Sequence, residues 1–512
     1  MRSQNIQRDL SLVGDDLIKK FILKDSKASK YVNSFFSEEN ILNHSKNKTT
    51  QFKDDQRNIL TEELTKQYSK VETSDATLEN IKLLSNPNTL SVTTGHQLNI
   101  FSGPLMVIYK IAQVISTTNY LNLKIKNFNY VPVFWIASED HDFEEISEVN
   151  LHKNKINWKL DSKNLPVGEI KLNDFKQVKS AYKNSIIDFE YKDKLESIID
   201  DAYKDGETLS TANIKFINSL FAGHGLVIID SNRRVFKKTF LDNFKNEILD
   251  SRCYVDSNSQ ISKIKNDIKS FKPQVNPSDI NFFKITKNGR KRIRKNGKKF
   301  IVDDEDEYTL DEIINQIESY PELFSPNVLM RALYQEKILP NVCYVGGPNE
   351  LKYWMQLKLY FENSSVQFPI LKLRTSAFIL DKKTSIKITK SNIEMKYFFG
   401  KLDDLLDFKI NTSSKLNLSF DSLKTTLTNQ FDELRRVSIK TNESFIGALN
   451  AQEKKQIKGL VDLEKKLRKA EKKNHETEVN KIKSLFESLH PNDSDQERYL
   501  NFGNFYSFKG QE

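Results

Sequence analysis

The segment "TLSVTTGHQLNIFSGPLMVIYK" (residues 89–110) decides the fold class of this 512-residue chain. "TLSVTT" is typical of a strand, and "GPLMVIYK" begins an apolar helix with Pro104 in its first turn, where a missing N–H costs nothing. The run that follows, "YVPVFWIA" (130–137), is continuously apolar, as in a strand covered on both faces of a parallel sheet. Strand, helix and strand in succession predict a βαβ unit.

Further apolar runs predict additional strands of the same sheet: "GLVIID" (225–230), "NVCYVGG" (341–347) and "FPILKLR" (368–374). The lysine-rich residues 151–222 lack this pattern, and residues 280–302 contain two Asn-Gly turn signals within a basic stretch. Both segments are interpreted as insertions. The fold class is therefore predicted to be α/β, with a parallel-sheet core, insertions and a helical C-terminal part.

The C-terminal part carries an apolar pattern typical of a coiled coil. Two sets of apolar residues share the same spacing of three and four positions: Leu460, Leu463, Leu467 and Ala470, then Val479, Ile482, Phe486 and Leu489. Lysine, arginine and glutamate flank both sets, so we expect a heptad seam that joins two copies of the chain as a homodimer. Pro491 ends the helix, and the aromatic tail "QERYLNFGNFYSF" (496–508) is expected to fold back on the core.

These patterns divide the chain into five predicted segments. They are N-terminal helices with the first half of the core (1–150), an inserted subdomain (151–222), the second half of the core with a small insertion near 280–320 (223–384), a helical coiled-coil domain (385–490) and a C-terminal segment that returns to the core (491–512).

Composition limits the classes of partner. The formal net charge is +10, but the lysines are spread along the chain and no basic run is interleaved with stacking aromatics, so nucleic-acid binding is not predicted. Two cysteines without paired spacing argue against a disulfide framework or a structural zinc site. The N-terminus lacks the apolar core of a signal peptide, and no apolar run reaches the roughly 18 residues of a membrane span. We therefore expect a cytoplasmic protein without a membrane segment.

The first candidate functional loop follows the first predicted strand. Gly95 permits tight backbone geometry, His96 offers a hydrogen-bond donor or an acid-base group, and Gln97 and Gly103 lie between it and the helix. A helix N-terminus at the carboxyl end of a strand suits a phosphate or a carboxylate. The alternative is a plain turn with an exposed histidine, since no fixed glycine fingerprint is matched.

The second candidate is "SEDHDFEEI" (138–146), directly after the strand "PVFWIA". Glu139, Asp140, His141 and Asp142 are candidates for a general base or for binding a substrate amine. The alternative is a set of acidic residues that stabilises a helix N-terminus, which explains the later glutamates better than it explains "EDHD". A metal site would need further ligands from elsewhere in the chain, and none is predicted.

The third candidate is "YVGGPNELKYW" (344–354), which repeats the order of strand, glycine loop and helix. Gly346 and Gly347 allow close backbone approach, and Asn349 and Glu350 lie in the first helical turn. Two arginines that follow or end patterned segments are candidates for binding a carboxylate, although a surface ion pair is the commoner fate of an arginine: Arg331 and Arg374.

Six blocks taken together resemble one protein family. They are "TTGHQLNIFSGPLMVIYK", "PVFWIASEDHDFEEI", "PQVNPSDINFF", "SPNVLMRALYQ", "LPNVCYVGGPNELKYW" and "QERYLNF". They are similar, in this order, to the successive blocks of the BshC cysteine ligases of bacillithiol biosynthesis. The resemblance implies a Rossmann-like core like that of class I aminoacyl-tRNA synthetases and nucleotidyltransferases, connecting-peptide insertions and a coiled coil that dimerises.

The activity implied by the resemblance is the joining of L-cysteine to the glucosamine amine of glucosaminyl malate. Amide formation from a free carboxylate is uphill in water, so activation of the cysteine carboxylate by ATP is chemically reasonable, and ATP or ADP is the expected nucleotide. Under this hypothesis Asp140 or His141 takes the proton of the incoming ammonium, and Arg331 and Arg374 hold the malate carboxylates.

Two other classes of function remain as alternatives. A catalytically idle nucleotide-binding scaffold, with a partner site on the coiled coil, would keep the glycine loops but tolerate loss of the carboxylates. A metal-dependent hydrolase centred on "EDHD" would bind stoichiometric metal.

Overall fold

The computed structural model describes residues 3–7, 9–10, 13–151, 154–160, 165–303, 306–414, 416–438 and 443–510. The chain forms two compact units. The first contains Val13–Ala377 together with Gln496–Glu512, and the second consists mainly of Phe378–Asp495.

Twelve strands lie in the described residues of the first unit. They are β1 Thr89–His96, β2 Asn129–Ile136, β3 Glu148–Leu151, β4 Asn154–Asn157, β5 Val227–Asp230, β6 Phe282–Thr286, β7 Gly289–Asn296, β8 Lys299–Val302, β9 Asp306–Tyr308, β10 Phe324–Pro326, β11 Asn341–Gly346 and β12 Ile370–Leu373.

The helices include five before β1 and five, α18–α22, in the second unit. In chain order they are α1 Asp16–Ile22, α2 Ser26–Ser29, α3 Glu38–Gln51, α4 Asp54–Tyr68, α5 Asp75–Leu83, α6 Leu105–Lys124, α7 Phe143–Ile146, α8 Lys176–Ser185, α9 Lys192–Ala202, α10 Leu209–Phe221, α11 Arg234–Lys238, α12 Leu241–Asp250, α13 Arg252–Asp267, α14 Leu310–Ser319, α15 Val328–Ile338, α16 Pro348–Met355, α17 Lys358–Asn363, α18 Lys382–Lys390, α19 Leu402–Ser413, α20 Asp421–Ser438, α21 Glu443–Asn474, α22 Glu476–Leu489, α23 Gln496–Tyr499 and α24 Gly503–Lys509.

The predicted parallel sheet is confirmed. Its strand order is β12-β11-β1-β2-β5, and every neighbouring pair is parallel. The chain runs outward from β1 through β2 to β5, and later adds β11 and β12 on the other side of β1. The order therefore reverses between β1 and β11. In open α/β sheets, the carboxyl ends of the strands at such a reversal form the usual ligand crevice.

The sheet lies within a continuous apolar core. Its strands are therefore covered on both faces, which explains their uninterrupted apolar runs. The side chains that pack together come from α3, α6 and four strands, and include Ile41, Val92, Val114, Leu121, Tyr130, Val345 and Ile370. Cys343 is buried mid-strand among them as a free thiol, and burial raises its pKa to about 12. Cys253 is also a buried free thiol.

The basic segment near 280–320 contributes an antiparallel sheet of order β10-β6-β7-β8-β9. Its two hairpins close where the Asn-Gly signals predicted, with Thr286 opposite Gly289 and Asn296 opposite Lys299. Gly289 and Gly297 have positive φ angles of 104° and 60°, which explains why glycine stands at both turns. The residues after 147 form the β3–β4 hairpin and helices α8–α10.

The C-terminal tail belongs to the first unit, as predicted. Helices α23 and α24 pack against α6 and α9. The Asn501 amide donates hydrogen bonds to the carbonyls of Phe101, at 2.8 Å, and Gly103, at 2.6 Å. The N–H of Leu105, the first residue of α6, donates to the Leu500 carbonyl at 2.8 Å. These hydrogen bonds from the tail therefore hold the loop between β1 and α6 in place.

The second unit contains an antiparallel pair of helices, α20 and α21. The Lys424 ammonium lies 2.5 Å from Glu464, and the Arg435 Nε lies 3.0 Å from the Asn450 amide oxygen. Residue numbers rise along α20 as they fall along α21, so the coiled coil is formed within one chain. Leu460 and Leu463 line the groove between these two helices.

The two apolar sets of the C-terminal part lie on two separate helices. The helix is interrupted at His475, between α21 and α22. Beyond the interruption, Val479, Ile482, Phe486 and Leu489 are buried in a cluster of the same unit, against side chains that include Ile388, Phe398 and Leu405. The second apolar set therefore marks buried positions whose partners are helices of the same chain, whereas Leu463 of the first set is 55% exposed. In the described part of the chain, no helix combines the length and apolar character that a membrane crossing requires.

Candidate functional site

The three candidate loops follow β1, β2 and β11, which are neighbours in the parallel sheet. Their carboxyl ends therefore share one edge. The Gln97 amide of the first loop donates to the Asp140 carboxylate of the second at 2.9 Å. The Lys110 ammonium, on α6, donates to the Gly95 carbonyl of the first loop and to Glu350 of the third. The structure thus brings all three loops together.

The first loop is held tightly in shape. Gly103 has a φ of +66°, and a Cβ there would lie 2.5 Å from the Asn99 side chain, so only glycine fits. Gln97 also donates to Glu145 at 2.9 Å, which places it between two carboxylates. Burial and the nearby Lys110 lower the pKa of His96 to about 4, so its imidazole is neutral at physiological pH.

The expected anion site at the start of α6 is not supported. The C-terminal tail covers this helix end, since the Leu105 N–H is bonded to Leu500 and the carbonyls of Phe101 and Gly103 accept from Asn501. Residues 100–103 are buried. The pattern of a glycine loop before a helix was correctly identified, but the N–H of Leu105 at the start of that helix is bonded to Leu500, almost four hundred residues later in the chain.

A buried ion pair joins the first and third loops. Lys110 is only 1 % exposed, and its ammonium lies 2.9 and 3.0 Å from the two Glu350 oxygens. The same carboxylate accepts from the Gly347 N–H and the Tyr344 hydroxyl, each at 2.8 Å. Burial alone would raise the pKa of Glu350, but Lys110 and these donors outweigh it and lower the pKa to about 2.

The lowered pKa of Glu350 predicts an acid-dependent loss of stability. Because the folded-state pKa of about 2 lies below the ordinary value of 4.5, the contribution is complete above pH 4.5 and is lost as the pH falls toward 2. We expect urea unfolding of Glu350→Gln to depend less steeply on pH in this window than that of the wild type. Glu144→Gln, at an exposed position, should leave the wild-type slope unchanged; equal slopes in all three proteins would contradict the assignment.

Two acidic residues of "EDHD" have structural roles. The Glu139 carboxylate pairs with the fully buried Lys237 ammonium, which also donates to the Phe324 carbonyl at 2.7 Å. Asp142 caps α7, with its side chain accepting from the Glu145 N–H at 3.2 Å. The helix-start interpretation therefore describes Asp142 well, and Glu139 anchors the loop to α11 and β10.

Asp140 is the carboxylate of this loop that faces the first loop. Its oxygens accept from Gln97 at 2.9 Å and from the His141 N–H at 2.8 Å, and lie 3.4 Å from the Arg290 guanidinium. Burial acts to raise the pKa of Asp140, but hydrogen bonds from His141 and Gln97 and the charge of Arg290 hold it well below its usual range. Asp140 is therefore ionised at physiological pH.

Arg290 belongs to β7 of the antiparallel sheet and fixes the second loop from outside the core. It is buried, stacks on the Phe283 ring at 4.0 Å, and donates to Ser325 and Pro326. Its Nη1 lies 3.1 Å from His141 Nδ1. The same Nδ1 lies 3.4 Å from the Asp140 carboxylate, so Asp140 and Arg290 together fix the orientation of the His141 ring.

The third loop contains two glycines, and two arginines outside the loop differ in their contacts. A Cβ on Gly346 would lie 2.9 Å from both Leu351 and Tyr344, so the close approach of α16 requires glycine. Asn349 is exposed. The backbone of Arg374 lies beside this loop, because its N–H donates to the Gly346 carbonyl. Its buried guanidinium, however, lies 2.5 Å from Glu497 of the C-terminal tail.

Arg331 is the better candidate for a ligand anion. Its guanidinium donates to the Gln335 side chain at 3.2 Å and to the Tyr353 hydroxyl at 2.9 Å, both of them neutral groups. In the part of the chain that the structure describes, the hydrogen bonds of Arg331 go to neutral groups, whereas Arg374 is paired with the Glu497 carboxylate. Sequence reasoning treated the two arginines as equivalent.

Sequence reasoning missed Lys110, Lys237, Arg290 and Glu497. Lys110 had a usable signal, because it is a lysine on the apolar face of a helix that follows a candidate loop. Arg290 had no such signal in the sequence. It lies in a run of eight residues that contains five arginines or lysines, so nothing distinguishes it from its neighbours. No cluster of three or more metal-ligating side chains occurs within the described ranges.

A reversal of strand order, with three polar loops converging at the carboxyl edge, defines a Rossmann-like ligand-binding protein to which a coiled-coil unit has been added. The chain belongs to the BshC family of bacillithiol biosynthesis. The model of the BshC N-terminal Rossmann-like domain matches residues 1–375, and that of the C-terminal coiled-coil domain matches residues 377–512.

Relatives extend over nearly the whole chain. Proteins of Flavobacterium johnsoniae and Flavobacterium psychrophilum are 37% and 38% identical to it, over 97% of this chain and 93% of their own length. A protein of Christiangramia forsetii is 40% identical over 89% of this chain and 85% of its own length. All three carry the name "Putative cysteine ligase BshC".

Proposed function

We propose that this protein is an amide-forming ligase that adds L-cysteine to the amine of glucosaminyl malate in bacillithiol biosynthesis. Membership of the BshC family supports the pathway, and the names of the relatives support the cysteine ligase activity. The observation that carries the proposal is the Gln97–Asp140 contact, which places an ionised carboxylate at the crevice where the three loops meet.

Asp140 is assigned the binding of the glucosamine amine. An ionised carboxylate whose pKa lies well below its usual range is a strong partner for an ammonium but a weak base. His141, whose ring is oriented by Asp140 and Arg290, is assigned a hydrogen bond to the acyl oxygen on which charge develops as the carbon–nitrogen bond forms. Arg331 is assigned a malate carboxylate.

The cysteine carboxylate must be activated, and ATP is the cosubstrate we propose. The start of α6 is unsuited to phosphates because the tail covers it. ATP would supply the leaving group, while Asp140 and His141 orient the amine and the acyl oxygen.

Mass spectrometry of the purified protein incubated with cysteine, glucosaminyl malate and ATP tests this function. We expect a product whose mass equals the sum of cysteine and glucosaminyl malate minus one water, formed only when ATP is present. Product without ATP would reject the nucleotide assignment. No product under any condition, with the substrates unchanged, would favour the idle scaffold and reject the ligase.

We also propose that two copies of the chain associate through the α20–α21 pair. Large apolar side chains remain exposed there, including Leu423, Leu434, Val437 and Leu463, and an open groove of about 480 Å³ lies between the two helices. A second copy can cover this surface, since an exposed apolar patch on a coiled coil is typical of an association face.

Leu463→Glu is expected to convert a dimer into a monomer. Leu463 is 55% exposed, so the new carboxylate leaves the fold of the unit intact but charges the association face. Lys465→Glu, an exposed position on the opposite face of the same helix, is the matched control and should remain dimeric. Sedimentation equilibrium measures both masses. A dimer that survives Leu463→Glu would place the contact elsewhere.

A further inference from the structure

A polar cavity of about 420 Å³ lies between α3 and the segment that precedes β12, within the first unit. Small-molecule sites in proteins typically occupy about 300–1,000 Å³. Gln367 stands before the first residue of β12, at the amino end of the strand, whereas the candidate ligase site lies at the carboxyl ends. The cavity is therefore separate from the crevice of Asp140 and Glu350.

The lining of this cavity is polar but uncharged. It consists of four asparagines, two glutamines, a serine, a threonine and His44. Burial and the nearby Lys48 lower the pKa of His44 to about 3, so the imidazole carries no charge at physiological pH. Among these lining residues there is no cation for a phosphate, no carboxylate for an amine, and no Phe, Tyr or Trp ring on which a nucleobase would stack.

Two lining residues hold buried polar atoms that lack a protein partner. His44 is 6 % exposed, and its Nε2 has no hydrogen bond; the Gln367 Oε1 has none either. Unpaired buried polar atoms are uncommon in folded proteins because each loses its bonds to water. The wall is nevertheless rigid, since Gln367 donates to the His44 carbonyl at 3.2 Å and Asn33 donates to the Phe368 carbonyl at 3.0 Å.

Asn43 and Asn47 lie one helical turn apart on α3 and are exposed at the cavity. Each amide offers a donor and an acceptor side by side, as a row of hydroxyl groups requires. We infer that this cavity is a second binding site, for an uncharged polyhydroxylated small molecule of the carbohydrate type. The site is independent of the ligase proposal, which rests on residues at the other edge of the sheet.

NMR of the full chain with isotope-labelled histidine tests this inference, using D-glucose as the probe. The chain has seven histidines, and loss of one signal in His44→Gln identifies the His44 resonance. We expect D-glucose to shift that resonance saturably, while the signals of His96 and His141 report separately on the ligase crevice. D-glucose 6-phosphate and glucosamine, which carry charges, should bind at least about fivefold more weakly because their charges find no partner.

Asn47→Leu removes one donor and acceptor pair and should weaken the glucose response about five- to tenfold. Asn58→Leu, an exposed asparagine on α4, is the matched control and should bind as the wild type does. The inference is overturned if the His44 resonance does not move at a roughly 100 mM concentration of glucose, if the charged sugars bind equally well, or if Asn47→Leu and Asn58→Leu respond alike.

Discussion

Asp140→Asn is expected to lower kcat/KM for the amine substrate about 30- to 3,000-fold, as loss of one member of a desolvated charge pair costs roughly 2–5 kcal/mol. Asparagine keeps the shape of the side chain but cannot pair electrostatically with an ammonium. The fall should exceed any effect on the cysteine substrate, because Asp140 is assigned to the amine. Initial rates of product formation at varied concentrations of glucosaminyl malate measure this difference.

The same substitution should have only a moderate effect on folding. Asp140 also faces the buried Arg290 at 3.4 Å, so its neutralisation is expected to cost about 1–3 kcal/mol, or a few degrees in Tm. Glu144→Gln makes the same chemical change at an exposed position of α7 and should retain the wild-type rate. Wild-type turnover in Asp140→Asn, or complete unfolding of that variant, would mean that Asp140 has only a structural role.

Lys110→Met is expected to be the most destabilising of these substitutions, by about 3–5 kcal/mol, because it leaves the partly buried Glu350 carboxylate without its cation. The methionine fills most of the space of the lysine stem, so the cost is electrostatic and not a cavity. Urea unfolding monitored by circular dichroism gives the free energy of unfolding of the variant and the wild type.

A second variant separates the charge effect from a loss of packing. Lys110→Met combined with Glu350→Gln removes both charges, while the glutamine oxygen can still accept from the Gly347 N–H and its amide NH2 can donate to the Tyr344 hydroxyl. The double variant should therefore recover part of the stability lost in Lys110→Met. If the double variant is less stable than the single one, the Lys110–Glu350 pair is not the source of the cost.

The sheet was predictable because its strands are buried on both faces and therefore read as continuous apolar runs. "YVPVFWIA" and "NVCYVGG" lie within a residue or two of β2 and β11. The loops at the strand ends were predictable as candidate sites for the same reason. Glycines and polar residues that directly follow a buried strand lie at the carboxyl edge of the sheet, where ligands bind. Pattern alone thus located Gln97, Asp140 and Glu350 at one edge.

The partners of those residues were not predictable from pattern, because they depend on contacts between distant parts of the chain. Arg290 reaches Asp140 from a separate antiparallel sheet, and Glu497 pairs with Arg374 from beyond the coiled coil. The partners of the C-terminal apolar positions were not predictable for a related reason. Heptad spacing reports that a face is buried, but it does not report whether the covering helix belongs to the same chain.

The return of the tail to the first unit determines when that unit can be completed during synthesis. A nascent chain that ends before residue 496 has made every strand of the parallel sheet, but Arg374 lacks Glu497 and the carbonyls of Phe101 and Gly103 lack Asn501. Translation of residues 378–495, at about 5–20 residues per second, therefore separates the sheet from its last contacts by several seconds. During this interval the first loop of the ribosome-bound chain lacks its hydrogen bonds to the tail.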